Sequence, residues 1–371
     1  MFFPFVAKGL CFLASLLYIR FCNTAFLKWR AIRVRGFVLK IFGGKEMPRK
    51  TVHLCLSSHD EVMYRSEADL IMGFNCLALA VLSTESRFLA EGFLTTHHHL
   101  LLQTDSPKEV MYRSRYAYAR YFNSKYFRKG PLGEKKYFSL ETDGLYHVTA
   151  ALNYVLRQGV HHGISSTPFE YRHCSANAFF RKELGKFDSP ELMPAKNRYL
   201  YLPKNQSLPA EKYRMSYDGM LFREDIIDTA YVEEIYITPR NFLFQMNKVM
   251  GEQDKDEQSK ENNMPPVTAE AIESGVPDFN PRDFKVFEQG KVDRKRMTDL
   301  DLCEIIDSQI VPRCLKEGQP ASVYLLPESR RAAICEKLWL ESRQYRSNTN
   351  AQGLLSGKYV TEAQLRRCMN L

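Results

Sequence analysis

From Thr51 onward, apolar residues recur alternately at every second position and at every third or fourth, the periods of strands and of amphipathic helices. Thr51 to Leu56 is strand-like. Ser66 to Leu82 has helical spacing behind a capping serine, Ser66, with Asp69 three residues on. Phe88 to Leu94 and His97 to Gln103 follow as two adjacent strands. Pro107 to Phe127 is a long helix whose proline takes the first helical position after Ser106. Lys135 to Glu141 is a strand and Leu145 to His161 a helix. The order βαββαβ plus one helix predicts an α+β fold, a ferredoxin-like four-stranded antiparallel sheet with helices on one face.

The flanks of this pattern set the domain boundaries. Met1 to Leu27 is apolar and aromatic, but its uninterrupted run, Gly9 to Ile19, is shorter than the roughly 20 residues a spanning helix needs. One lysine before the run and no small-residue cleavage pattern after it make a poor signal peptide. Met47-Pro-Arg-Lys directly precedes the first strand, so residues 1–46 read as an apolar leader or a mis-assigned start. A catalytic domain is expected over 47–185 and an elaboration of it over 186–250, where Arg198 to Leu202 is strand-like and Arg240 to Met250 helical. Gly251 to Asn263 is almost wholly polar and charged, with Met264-Pro265-Pro266 after it, and 251–297 reads as a flexible linker. Helical spacing returns over Thr298 to Ile310, Pro327 to Tyr345 and Thr361 to Met369. That predicts a small helical domain over 298–371, either a helix-turn-helix DNA reader or a protein-interaction bundle.

Composition narrows the class. The 371 residues are 44% hydrophobic and 26% charged, ordinary for a globular protein, while a net charge of +9 leans toward a polyanionic partner. Nine cysteines without a Cys-x-x-Cys pair argue for reduced thiols and against structural zinc. The expected location is cytoplasmic and nucleoid-associated, with a membrane leader the less favoured alternative. All nine histidines fall between His53 and His173, so imidazole chemistry belongs to the first domain. His97 and His99 are two apart on a strand and share a face, which offers two imidazoles to one divalent ion. Tyr154 and Gln158, four apart on a helix, also share a face and bring a hydroxyl and an amide oxygen.

This set suggests metal-assisted attack by a tyrosine on a phosphodiester. Only about one tyrosine in a thousand is phenolate at neutral pH, so a hard cation at the phosphate would have to stabilise the developing charge. A covalent phosphotyrosine conserves bond energy, and no Gly-rich phosphate loop is found, so no nucleotide cofactor is expected. Each signal has a bland alternative: a histidine triplet can be a surface cluster, and Tyr154 a core tyrosine. Asp60, Glu61 and Glu67 are further candidate ligands or bases that nothing separates from solvated carboxylates.

Thr96 to Leu102, Arg120 to Asn123, Gly130 to Phe138, Tyr154 to Gly163 and Pro168 to Tyr171 together resemble the HUH single-tyrosine transposases, in particular the REP-associated tyrosine transposases. The resemblance implies that His97 and His99 bind Mg²⁺ or Mn²⁺, with Gln158 as third protein ligand. It implies that Tyr154 attacks single-stranded or hairpin DNA and leaves a 5′-phosphotyrosine. The protein would act as a monomer or a homodimer. The sequence departs from the family in having His98 between the two histidines, where an apolar residue is usual, and Gln158-Gly159 where Asn-Pro is common. Two rivals share the resemblance: a catalytically silent DNA-binding descendant, and an HUH nuclease of the replication-initiator or relaxase kind.

A DNA surface is expected between Arg113 and Lys136. Arg113, Arg115, Arg120, Arg128, Lys129, Lys135 and Lys136 interleave with aromatics including Tyr121, the mixture of cations and stacking platforms that single strands require. The alternative is an amphipathic helix whose aromatics are core and whose charges are solvated.

Overall fold

The structure is a computed structural model that describes residues 32–34, 37–39, 50–186, 191–204, 206–247, 287–288, 291–292, 297–347, 353–355 and 358–371. The chain divides into two compact units, Met1–Pro48 and Arg49–Leu371. In the first, strands Ile32–Val34 and Phe37–Leu39 pair antiparallel. The leader expected over 1–46 otherwise lies outside the described residues. So does most of the linker expected over 251–297, apart from Met297 and the paired strands Phe287–Glu288 and Lys291–Val292.

The second unit is built on a four-stranded sheet of β1 (Thr51–Ser57), β2 (Arg87–Phe93), β3 (His97–Gln103) and β4 (Phe138–Thr142), ordered β2-β3-β1-β4 and antiparallel throughout. This is the ferredoxin-like α+β arrangement. Helices α1 (Glu67–Ser83) and α2 (Pro107–Tyr126) pack together over one face. Ser66 caps α1 in a reciprocal box with Asp69, which satisfies two otherwise orphaned backbone donors. Helix α3 (Gly144–Leu156) crosses the opposite face against β2, β3 and β4. With both faces covered, every residue of β1 is buried, the polar Thr51, His53 and Ser57 included.

The helix expected to run to His161 breaks at Arg157 (φ −91°, ψ 5°) and resumes as the single turn α4 (Gln158–His161). Arg198 to Leu202, read as strand-like, instead lies largely in a 3₁₀ segment, Ala195–Tyr201. Pro194 and Pro203 bracket it, and buried Arg198 donates to the Tyr213 carbonyl rather than joining a ladder.

The outer edge of β2 is covered: Phe88 bridges to Ile227, Gly92 bridges to Cys174, and the Phe93 amide donates to the His173 carbonyl. At the other end of the sheet, β4 pairs with β1 alone. Toward the C-terminus, helices Asp299–Ile305, Glu328–Ser347 and Glu362–Met369 build a second core that also takes in Val62, from the β1–α1 connection. Buried Arg65 forks onto Asp307 through Nε and Nη2, both at 2.9 Å, and donates through Nη1 to the Cys368 carbonyl at 2.7 Å. The seven cysteines of the described residues are free thiols. Among those residues no helix is long and apolar enough to cross a membrane.

Candidate active site

Strand register decides which histidines meet. In β3, His99 lies opposite Cys55 of β1 and Gly92 of β2, and His97 lies opposite Ser57. These positions share the α3 face. His98, between them, points to the other face, where its Nδ1 meets the Tyr64 hydroxyl at 2.8 Å and its ring stacks on Phe93 at 4.8 Å. It is a core residue.

Helix α3 comes close to the sheet because residue 92 is glycine. A Cβ there would sit 3.0 Å from the Val155 carbonyl oxygen and 3.3 Å from Gln158 Cγ. The close approach puts Tyr154 edge-on to His99, with ring centroids 5.1 Å apart and planes at 84°. The break at Arg157 then turns Gln158 inward. Its Nε2 donates to the Tyr154 carbonyl at 3.0 Å, which fixes the carboxamide and leaves Oε1 buried without a hydrogen-bond partner. Gly159 is required next: a Cβ there would come within 2.4 Å of Tyr171 Cβ.

Each imidazole is held through Nδ1. His97 Nδ1 lies 3.0 Å from the Thr96 hydroxyl, and His99 Nδ1 lies 3.1 Å from His53 Nε2. In both rings Nε2 is buried and unpartnered. A ring fixed through one nitrogen and open at the other is how metal-ligating histidines are usually oriented. Burial lowers the His97 and His53 pKa values to about 3 and pushes His99 well below its ordinary value, with neighbouring imidazoles adding to the effect on His97 and His99. All three are neutral at physiological pH, and a neutral imidazole is the form that ligates.

His97 Nε2, His99 Nε2 and Gln158 Oε1 are therefore three buried atoms without hydrogen-bond partners, on residues linked through the His97–His99 and His99–Tyr154 ring contacts and the Gln158–Tyr154 hydrogen bond, and their chemistry fits a divalent cation of borderline hardness. Among the described residues no group of three or more His, Cys, Asp or Glu side chains could hold a metal ion. The three carboxylates considered from the sequence are elsewhere. Asp60 is exposed, Glu61 is paired with Arg128, and Glu67 meets His173 and Arg172.

Sequence reasoning missed His53 and Gly92. His53 stands 46 residues before His99, and only the β1–β3 register brings them together. His162, whose ring centroid lies 5.4 Å from that of His97, is a further imidazole of the site.

The residues expected to bind DNA are not gathered at this site. Helix α2 packs with α1 on the sheet face that α3 does not cover. Three of the eight are engaged inside the protein, which differs from the expectation. Arg115 donates to the carbonyls of Leu132, Gly133 and Lys135, and the Tyr121 hydroxyl donates to buried Asp69. Arg128 forms a buried pair with Glu61 and donates to the carbonyls of Gly130 and Pro131. Arg113 is exposed and paired with Glu109, and Arg120, Lys129, Lys135 and Lys136 are exposed.

No family model matches the chain, and no curated protein does. Among solved structures, that of a REP-associated tyrosine transposase bound to a REP hairpin matches with 10% identity and a TM-score of 0.29. The match covers 45% of this chain and 89% of that one. A superposition this loose adds nothing to the geometry above.

Proposed function

We propose that this protein is a metal-dependent DNA strand transferase that cuts and rejoins single-stranded or hairpin DNA through Tyr154. The observation that carries the reading is that His99 packs edge-on to Tyr154, His97 packs on His99 and Gln158 is braced on the Tyr154 carbonyl, while His97 Nε2, His99 Nε2 and Gln158 Oε1 are all buried without hydrogen-bond partners. Those three atoms would hold Mg²⁺ or Mn²⁺. When bound, the cation would neutralise the phosphate and the leaving oxygen. The chain supplies the rest. His53 and Thr96 hold the two imidazoles, Gln158 is braced on the Tyr154 carbonyl, and the buried surroundings exclude water.

In the cleavage step, Tyr154 Oη bonds to phosphorus as the bond from phosphorus to the 3′-oxygen breaks. The phenol gives up its proton and the 3′-oxygen takes one up, so the step is proton-neutral overall. Attack by a 3′-hydroxyl on the phosphotyrosine reverses the step, so no nucleotide cofactor is needed. The 5′ polarity of the linkage follows the family the sequence resembles.

One observation favours a second reading, a DNA-binding protein without turnover. Tyr154 is only 3% exposed and Gln158 is fully buried, so a phosphate reaches them only if the site opens. The test is incubation with end-labelled single-stranded DNA from the flanking sequence, with and without Mn²⁺, beside Tyr154→Phe. A denaturant-resistant adduct that needs both metal and Tyr154 supports strand transfer. Binding without any adduct supports the silent reading.

A further inference from the structure

Rings wall the Tyr154 side chain. His53, His99 and His161 pack around it, with centroids 6.2, 5.1 and 6.2 Å from its own. The guanidinium carbon of Arg157 lies over the same ring, 6.0 Å from its centroid. An imidazole can lose its charge within the physiological range, whereas a guanidinium keeps it. Arg157 therefore brings a fixed positive group to the tyrosine.

The backbone holds Arg157 at that place. It is the residue at which α3 ends and α4 begins, three after Tyr154 and one before Gln158, and its amide donates to the Asn153 carbonyl at 3.3 Å. The residue is half-buried, yet its Nε is fully buried and has no hydrogen-bond partner among the described residues. The side chain thus runs from solvent to the tyrosine ring. Two buried guanidiniums elsewhere are each matched by a carboxylate, Arg65 by Asp307 and Arg223 by Glu91. Arg157 meets an aromatic face instead. Such a face is only a weak acceptor, so the contact leaves the N–H fork able to take an anion.

We propose that Arg157 contacts substrate, its guanidinium holding a non-bridging oxygen of the DNA phosphate presented to Tyr154, so that one break in the helix sets both Gln158 and a phosphate clamp beside the nucleophile. This rests on the reading of the site as DNA-cleaving. A planar fork suits phosphate oxygens and, unlike a lysine, keeps its charge when partly buried. Placed over the ring that carries the attacking hydroxyl, it orients the phosphate for that attack.

The test uses the full chain and a fluorescent single-stranded oligonucleotide, with anisotropy followed across a salt series in the absence of metal. Arg157→Gln should bind roughly tenfold more weakly, the loss of one charge-assisted hydrogen bond, and its log–log salt slope should fall by about 0.7. Arg157→Lys, which keeps the charge, should keep the slope. Arg366→Gln, at an exposed arginine paired with Glu362, should change neither quantity. In the unaltered protein, the oligonucleotide should also shield Arg157 from phenylglyoxal, read by peptide mass spectrometry. A normally melting Arg157→Gln with unchanged affinity and slope, or equal labelling with and without DNA, overturns the proposal. If Arg157 controls binding while Mn²⁺ yields no adduct, strand transfer fails and the phosphate contact stands. If an adduct forms with Arg157 indifferent, the reverse holds, and a protein that binds no strand loses both.

Discussion

The ion pair between Arg65 and Asp307 joins the β1–α1 connection to the C-terminal helices, and its two partners are unequally buried. The Arg65 side chain is 0% exposed and that of Asp307 is 19% exposed. Removing either leaves the other behind, so the costs should differ. Asp307→Ala strands a guanidinium that cannot shed its charge; it keeps only the Cys368 carbonyl and the faces of Tyr126 and Tyr324, each 5.8 Å from its central carbon. Loss of a partner from a buried pair typically costs about 3–5 kcal/mol, and about 4 is expected here. Arg65→Met leaves Asp307 able to take up water and orphans one carbonyl, for a cost of about 2–3 kcal/mol. The double variant has neither stranded charge and should cost less than the sum by more than about 0.5 kcal/mol. Urea unfolding of the full chain, followed by both fluorescence and circular dichroism, gives the three values if the transitions coincide. A milder effect for Asp307→Ala than for Arg65→Met, or strict additivity, would refute the argument from unequal burial.

Two further outcomes follow from the site and its surroundings. His53→Ala frees the His99 ring, and Mn²⁺ affinity measured from the free-ion EPR signal should drop roughly 10- to 100-fold; unchanged affinity would mean that His53 does not orient its neighbour. His173 is pushed below its ordinary pKa by burial, which outweighs the Glu67 carboxylate 2.8 Å away. Its unfolded form therefore takes up a proton first, so stability is greatest above about pH 6.5 and falls as pH drops toward the folded value. His173→Gln should flatten that part of the unfolding-midpoint profile, and a parallel profile would exclude His173 as the cause.

The parts of this fold legible in the sequence are those with local causes. The Ser66–Asp69 box, Pro107 at the head of α2 and the bounds of β3 at His97 and Gln103 stand where periodicity and capping place them. His97 and His99 share a face by the strand repeat alone, whereas Tyr154 and Gln158, expected on one helix, stand on either side of the break at Arg157 that turns Gln158 inward. What was not legible depends on register and on long-range burial. Nothing local to His53 says that it will meet a ring 46 residues away, and nothing local to Gly92 says that a helix will cross it. For the same reason Arg115, Tyr121 and Arg128 resemble DNA contacts in a basic, aromatic run, yet their partners are backbone carbonyls and carboxylates fixed by the tertiary fold.

The sheet's two ends also differ in a way that bears on assembly. Residues 173–174 and 227–228 occupy the outer side of β2, whereas β4, among the described residues, has a neighbour on one side only. An edge strand is a template for adding another strand, and endless stacking requires two such templates per molecule. With one, growth through this sheet stops after a single addition. A second copy or a peptide docking there would extend the sheet on its one side left open among the described residues.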